Sequence, residues 1–177
     1  STLDLEEARL LQVAALMTDS KLKRVLAPGR DVHRAIRLSE RETISPWVEE
    51  HLPELVRACR SDQAIEVAEA DEQLAAYVNA ALGTLAGRAE EGPILAGNSI
   101  HADWRLAQRF LPRFSRLLNY RLLDVTAFKL EWRRLRRKRQ FDKERPADIR
   151  AYFPEAVLPE TSALHDAYYD VQASIAE

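Results

Sequence analysis

The sequence predicts a layered fold of strands and helices, and three observations carry that reading. The N-terminal third holds short apolar runs separated by turn residues, the pattern of strands. From Ser45 to Leu85 apolar residues recur at spacings of three and four, the pattern of helices. Beyond Gly92 a short strand, helices, a second strand and a further helix follow one another. Strands first, then helices flanking further strands, make an α/β or α+β arrangement.

Arg9–Asp19 is apolar-rich between polar ends, and Thr18-Asp19-Ser20-Lys21 supplies the turn that follows. Leu22–Leu26 and then Arg34–Arg37 continue an antiparallel meander, interrupted by the Pro28-Gly29 turn. An amphipathic helix over Leu5–Leu16 competes, because Ala and Leu favour helix. Ser45 then serves as an N-cap with Pro46 at the first helical position. Trp47, Val48, His51, Leu52, Leu55, Val56 and Cys59 repeat at helical spacing behind it. His51 is expected at the surface or half-buried, not as a ligand. A second helix from about Ile65 to Leu85 places Val67, Ala70, Leu74, Tyr77, Val78, Ala81 and Leu82 on one stripe. Gly83, Gly87 and Gly92 end this helical layer and lead to a strand at Pro93–Ala96.

A helix over Ala102–Phe110 is stopped by Pro112, with a short helix over Phe114–Leu118 behind it. Arg121–Val125 reads as an apolar strand with Asp124 inside it. Thr126 is expected to cap a helix through Phe128, Leu130, Trp132 and Leu135 that runs into the basic stretch Arg133–Arg139. Those cations face either RNA phosphates or, with Glu131, Asp142 and Glu144 close by, only solvent. Gln140–Pro159 is irregular and proline-bearing, anchored to the core by Tyr152-Phe153-Pro154. Ser162–Glu177 is Ala-rich and free of Gly and Pro, with Ala167, Val171 and Ser174/Ile175 at helical spacing.

At 177 residues the chain is one domain by size, large enough for a real core. A net charge of −2 provides no basic field for holding long nucleic acid. The single cysteine, Cys59, cannot form an internal disulfide, which suits a reducing compartment. No apolar run approaches the roughly 20 residues of a membrane span, and no signal or transit segment is visible. The expectation is a soluble, intracellular protein, cytoplasmic or mitochondrial, with no membrane partner.

Candidate chemistry gathers near the C-terminus, where His165 opens the last helix and Asp170 follows five positions later. Five helical steps turn by about 500°, which leaves the two side chains roughly 140° apart. They converge only if His165 sits in the entering loop or first turn. A histidine so placed above an acidic helix face is a general base beside a cation site; the plain alternative is a helix-end histidine and a solvated aspartate. Zinc is disfavoured, since one Cys and the scattered His33, His51, His101 and His165 offer no paired ligand spacing. Neither a G-x-S-x-G elbow nor a P-loop is present.

Pro93–Leu106 contains G-N-S-x-x-x-D, built from Gly97, Asn98, Ser99 and Asp103, and His165 to Asp170 gives H-x(4)-D. Between them Asn119-Tyr120-Arg121-Leu122-Leu123-Asp124-Val125-Thr126 matches H-Y-R-x-x-D-V-S/T, with Asn at the His position. In this order and spacing the three segments resemble the oligoribonuclease branch of the 3′→5′ exonucleases, which have four acidic metal-site residues and a catalytic His. The resemblance covers nearly the whole chain. It implies an α/β ribonuclease H-like fold, a mixed central sheet flanked by helices, in a single exonuclease-like domain over 1–177. It also favours the strand at Arg9–Asp19 over the helix at Leu5–Leu16.

By resemblance, Asp103 and Asp170 are metal ligands and His165 is the base that takes a proton from water. Phosphodiester hydrolysis asks for carboxylates because it uses two divalent cations about 3.5–4 Å apart, one activating water and one stabilising the leaving 3′-oxygen. Hard Mg²⁺ or Mn²⁺ suits such oxygen ligands. The implied substrate is short single-stranded RNA, down to dinucleotides, held by Leu3, Ser99, Tyr120 and Arg121. Arg gives bidentate phosphate contact, and Leu or Tyr packs on a base. The family's Tyr is lent by a partner subunit, which implies a homodimer. Read without the resemblance, Tyr120 is a core aromatic and Arg121 a surface strand residue.

The family opens with a strand carrying D-x-E, the other two metal ligands. Here Ser1-Thr2-Leu3-Asp4 aligns with the T-G-L-D that follows that pair, so the strand and both acids are expected to be missing; Asp4-Leu5-Glu6 spells D-x-E but lies too close to Leu10–Val13 to form its own strand. Gln12 stands where the family has Glu. With two carboxylates alone Mg²⁺ binds weakly, and little or no hydrolysis is expected of the chain as it stands. Two readings remain: a trimmed piece of an active 3′→5′ exoribonuclease, or a catalytically degenerate nuclease fold kept as an RNA-binding or scaffold subunit.

Overall fold

Gln12–Ala15 (β1) and Val32–Ala35 (β2) pair antiparallel, with Gln12 opposite Ala35 and Ala15 opposite Val32. This is seen in a computed structural model that describes residues 8–39, 42–85, 92–135, 141, 145–154 and 166–177. The strand reading of this region therefore prevails over the helical one. The expected strand at Leu22–Leu26 shrinks to a single bridge between Thr18 and Arg24. Leu22 sits at φ 59°, in the left-handed region, which an extended run does not tolerate. The turn is held by the Asp19 carboxylate, which accepts the N–H groups of Lys23 (2.9 Å) and Lys21 (2.8 Å). Those two bonds hold its carboxyl below the ordinary value.

Ser45 caps the next helix as expected, its hydroxyl accepting the Val48 N–H at 3.3 Å. The helix does not run to Cys59 in one piece. It forms Pro46–His51 (α1) and Pro53–Cys59 (α2), with Leu52 between them at φ −127°, ψ 46°. Pro53 is the cause: it has no N–H to give, and its ring pushes the preceding residue out of helical geometry. His51 is exposed, as expected, and stacks on Trp47 with ring centroids 4.6 Å apart.

Val67–Thr84 (α3) buries Ala70, Leu74, Tyr77, Val78 and Ala81, while Val67 and Leu82 are half-buried. This stripe packs with Val13 and Val32 of the first sheet and with Ile36. Burying a side chain such as Leu74 or Ile36 (2% and 1% exposed) stabilises by about 1.5–3 kcal/mol. Gly83 lies inside the last turn of α3 and does not end it.

The second sheet pairs Leu95–Gly97 (β3) in parallel with a later strand. Entry to β3 depends on Gly92, whose φ is 73° and where any Cβ would lie 2.4 Å from the Leu117 carbonyl oxygen. No other residue fits there without moving backbone. Ile100–Phe110 (α4) follows, then Pro112–Ser115 (α5), which sits earlier than the expected Phe114–Leu118 because Pro112 itself starts it. Leu122–Asp124 (β4) lies beside β3, with Leu95 opposite Leu122 and Gly97 opposite Asp124. Val125–Leu135 (α6), Pro146–Arg150 (α7) and Ala167–Ala176 (α8) complete the described elements. Phe153 is buried as expected of an anchor; Tyr152 beside it is exposed. Arg133 and Arg134 lie in the exposed end of α6, and the rest of the basic stretch lies outside the described residues.

Strand pairs of both senses flanked by helices form the mixed α/β layering expected of a ribonuclease H-like fold. Among the described residues the two pairs remain separate two-stranded sheets.

Asp71, 4% exposed on α3, locks the two halves together. Its carboxylate accepts the N–H of Arg113 (3.0 Å) and of Phe114 (2.8 Å), capping α5, which has no side-chain cap of its own. Asp71→Ala leaves both amides unsatisfied beneath α3. We expect a loss of about 1–3 kcal/mol in urea denaturation; a loss within the error of the extrapolation would show that solvent replaces the cap.

Candidate catalytic cleft

The turn Gly97-Asn98-Ser99 between β3 and α4 is fixed from three sides. Ser99 adopts φ 52°, ψ 39°, a left-handed conformation that a non-glycine residue holds only with support. The support is the Ser99 N–H, which donates to Asp124 Oδ1 (3.1 Å) and to Thr126 Oγ1 (3.0 Å). Asp124 Oδ1 also accepts the Thr126 N–H at 2.9 Å. The cap at the start of α6 is thus Asp124, not Thr126 as expected. Its longer-reaching carboxylate takes both amides, and Thr126 sits within the helix. Desolvation acts upward on Asp124, but the Thr126 and Ser99 amides outweigh it and hold the carboxyl below its ordinary value.

Asn98 carries the connection further. Its amide donates to Ser174 Oγ (2.9 Å), and its carbonyl oxygen accepts from Lys129 Nζ (3.3 Å). Ser174 Oγ in turn donates to the Asp170 carbonyl (2.9 Å), and Lys129 pairs with Glu177 at 2.7 Å. One turn thereby joins β3, α4, α6 and α8.

Asp103 and Asp170 occupy the first turns of α4 and α8, where the helix N-termini favour negative charge. Both line one cavity of about 2780 Å³. The Asp103 carboxyl reaches solvent within this crevice. The surrounding protein raises its pKa by desolvation, and the like charge of Asp170 adds to the rise; its own backbone N–H and His101 act the other way. The structure thus brings these two acids together. Arg121 lines the same cavity. Tyr120 is 75% exposed and carries the Arg121 guanidinium 4.6 Å over its ring, so it is not a core aromatic. The core position is taken by Asn119, 5% exposed, whose side-chain oxygen accepts the Arg121 N–H at 2.9 Å. Ser99 lies in the turn between Asn98 and Ile100, which line the cavity, but neither Ser99 nor Tyr120 lines it. His165 and Leu3 lie outside the described residues. Among the described residues no three His, Cys, Asp or Glu side chains converge as a metal cluster.

What the sequence reading missed is the clamp that seats α8. This helix covers Ala167–Ala176 and is capped by Asp166, which accepts the Tyr169 N–H at 2.9 Å; the expected stretch from Ser162 to His165 lies outside the described residues. Asp166 Oδ2 accepts from Gln12 Nε2 (2.9 Å) and lies 3.0 Å from His33 Nε2. Gln12 Oε1 accepts the Ala167 N–H at 2.8 Å. Next to this, the buried Asp31 carboxylate accepts the hydroxyls of Tyr168 (2.7 Å) and Tyr77 (3.0 Å) and pairs with Arg24. Burial, with Asp31 as a neighbouring charge, pushes Tyr77 up to about 12, so its hydroxyl remains a donor. The clamp also sets the rotation of α8. Tyr169, Gln172, Ala173 and Ala176 are buried, and the expected stripe of Ala167, Val171, Ser174 and Ile175 is only half-buried, along the cavity. Two signals were present in the sequence: an Asp directly before an Ala-rich run is an N-cap, and buried tyrosine hydroxyls need partners.

The chain matches the exonuclease family over residues 2–177. It is 32% identical to the oligoribonuclease of Streptomyces coelicolor, covering 99% of this chain and 77% of that protein. It is 29% identical to the oligoribonuclease of Alkalilimnicola ehrlichii, covering 99% and 79%. With the mitochondrial oligoribonuclease of Bos taurus it shares 28% identity over 99% of its own length, and it spans 65% of that relative.

Asp166 makes the clamp sensitive to acid. Desolvation works upward on its carboxyl, but His33, the Tyr169 amide and Gln12 prevail and hold it down at about 2. A depressed carboxyl stabilises fully above its unfolded value, near pH 4, and the contribution is lost as the pH falls towards 2. The contribution is on the order of 2 kcal/mol. Asp166→Asn keeps a capping oxygen and removes the charge, so its stability should fall less steeply than the parent's between pH 5 and pH 2 in urea titrations. Parallel curves would discount the ionic part of the clamp.

Proposed function

Because the chain belongs to the exonuclease family, we propose that it is a 3′→5′ exoribonuclease, a hydrolase that degrades short oligoribonucleotides, down to dinucleotides, to mononucleotides. The observation that carries this reading is the meeting of Asp103 and Asp170, from two different helices, along one cleft where the charge of Asp170 acts on Asp103. Two carboxylates turned towards one solvent-reached space suit a hard divalent cation, and their oxygens fit Mg²⁺ or Mn²⁺ better than zinc. When bound, such ions supply activated water and stabilisation of the leaving 3′-oxygen. Relatives named oligoribonuclease support the same chemistry.

In this reading the chain's own residues divide the work. Asp103 and Asp170 would hold the cations, and His165 would take the proton from the attacking water. Arg121 on the cavity grips phosphate, and Ser99, Tyr120 and Leu3 contact the short RNA. The exposed Tyr120 is free of the core, which suits a residue lent across a homodimer. A mitochondrial relative and bacterial ones agree with work inside the cell, in cytoplasm or mitochondrion; among the described residues no helix is long and apolar enough to cross a membrane.

One observation favours the second reading, a degenerate nuclease fold serving as an RNA-binding or scaffold subunit. Among the described residues no three His, Cys, Asp or Glu side chains converge into a metal cluster. The two readings separate on incubating the chain with a 5′-labelled dinucleotide and Mn²⁺ beside an Asp103→Ala control. Slow turnover that vanishes in the control is expected of the nuclease. Identical traces from both chains would leave the scaffold reading standing.

A further inference from the structure

At the start of α8 three polar groups meet whose hydrogen bonds cannot all form at once. Gln12 Nε2, His33 Nε2 and Asp166 Oδ2 make a triangle with sides of 2.7 Å (Gln12 to His33), 2.9 Å (Gln12 to Asp166) and 3.0 Å (His33 to Asp166). The orientation of the Gln12 amide is set, because its Oε1 accepts the Ala167 N–H at 2.8 Å. Its nitrogen therefore only donates into the triangle. Without a proton, His33 Nε2 accepts from Gln12 and turns its lone pair on the Asp166 carboxylate. With a proton it donates to Asp166, and two donors then face each other across the 2.7 Å side. Each state satisfies two sides and leaves the third repulsive.

The ring has little room to evade this choice. It stacks on Tyr168, with centroids 5.4 Å and planes 15° apart, and Tyr168 is tied through its hydroxyl to Asp31. With 41% of its side chain exposed, His33 exchanges protons with water. The charged groups packed around it are committed elsewhere. Arg24 pairs with Asp31, and Arg34 donates to the His33 carbonyl and to Gln73. The hydroxyls of Tyr77 and Tyr168 keep their protons, since burial pushes both above the ordinary value. Asp166, held at about 2, stays ionised near neutrality. The group here of the type that gains a proton between pH 8 and pH 5 is the imidazole.

We infer that His33 is a proton-operated latch on α8. Unprotonated at Nε2 it secures Gln12, and Gln12 secures the Ala167 amide; protonated it takes Asp166 for itself and pushes Gln12 off that amide. Proton uptake thereby exchanges a neutral tie from β1 to α8 for an ionic tie from β2 to α8. Asp170 lies one turn further along α8, so the exchange alters the seating of the helix that carries it. The latch stands on these contacts and involves neither metal nor RNA, so it is tested apart from the nuclease reading.

The test is a titration of the isotope-labelled full chain, followed by NMR from pH 8 to pH 5 without RNA or divalent metal. The His33 ring resonances report the proton, and the Ala167 amide reports its bond to Gln12. As His33 gains its proton, the Ala167 amide proton is expected to move upfield along the same curve, the direction of a weakening hydrogen bond. Its protection from exchange should fall about five-fold, the loss of one hydrogen bond of about 1 kcal/mol. In His33→Gln, which has no titrating ring at this place, the Ala167 response should vanish while the melting curve shows a folded chain. The latch is overturned if His33 titrates while the Ala167 amide stays still, or if that amide moves with a different midpoint. Both outcomes are read from the parent chain and need no folded variant. A response that survives in His33→Gln also overturns it, because His165, the neighbour of Asp166 in sequence, is present in both chains and would then be the driver.

Discussion

A single buried carboxylate, Asp31, holds the geometry together. Its side chain is 4% accessible, and a charge so placed is stable only when it is paired and hydrogen-bonded. Arg24, Tyr77 and Tyr168 meet that demand from three different parts of the chain. Arg24 follows the first turn, Tyr77 lies on α3 and Tyr168 on α8. Each partner is therefore located by a need that cannot be met elsewhere. Removing one partner from such a cluster typically costs about 3–5 kcal/mol, because the charge left behind stays buried. This cost explains how a short C-terminal helix, with Ala173 and Ala176 as its small buried contacts, keeps a defined rotation.

That rotation is what brings Asp170 towards Asp103. The Asp31 clamp and the Gln12–Asp166 bridge fix the start of α8 against β1. From the other side, the Gly97-Asn98-Ser99 turn fixes the start of α4 and reaches α8 through Ser174. Both acids sit one turn inside helices whose N-termini are pinned by hydrogen bonds from neighbouring elements. A side chain near a pinned end moves little, and the cleft is pre-organised. Gln12 is well chosen for its place. An amide both donates to Asp166 and accepts from Ala167, whereas a carboxylate there would oppose Asp166.

Elements with a strong local signal were legible in the sequence. The stripe from Ala70 to Ala81 gave α3, and Ser45-Pro46 gave the start of α1. The G-N-S-x-x-x-D segment placed Asp103 in the first turn of α4. Boundaries failed where a single residue overrode a periodic pattern. Pro53 divided a helix that the apolar spacing carried through to Cys59. Leu22 in a left-handed conformation broke the expected strand. The rotation of α8 was illegible for a different reason: Ala167, Val171 and Ile175 look like a core stripe, but long-range bonds from Gln12 and Asp31 turn Tyr169 and Ala173 inward instead. Contacts between residues more than a hundred positions apart leave no trace in local periodicity.

The pairing of Asp103 with Asp170 bears on what the fold is for. Desolvation raises the carboxyl of Asp103, and the like charge of Asp170 adds to the rise. A fold serving only to present a surface gains nothing from that arrangement. A neutral pair such as Asn and Ser would satisfy the same helix ends without repulsion. Apposed carboxylates become favourable when a cation lies between them, because its charge offsets the desolvation and the repulsion at once. The two acids sit where Asn98, Asp124 and the Asp31 clamp hold the surrounding backbone in position. Rigid support beneath an electrostatically unfavourable pair supports the nuclease reading over the scaffold, since a scaffold needs the rigidity but not the charges.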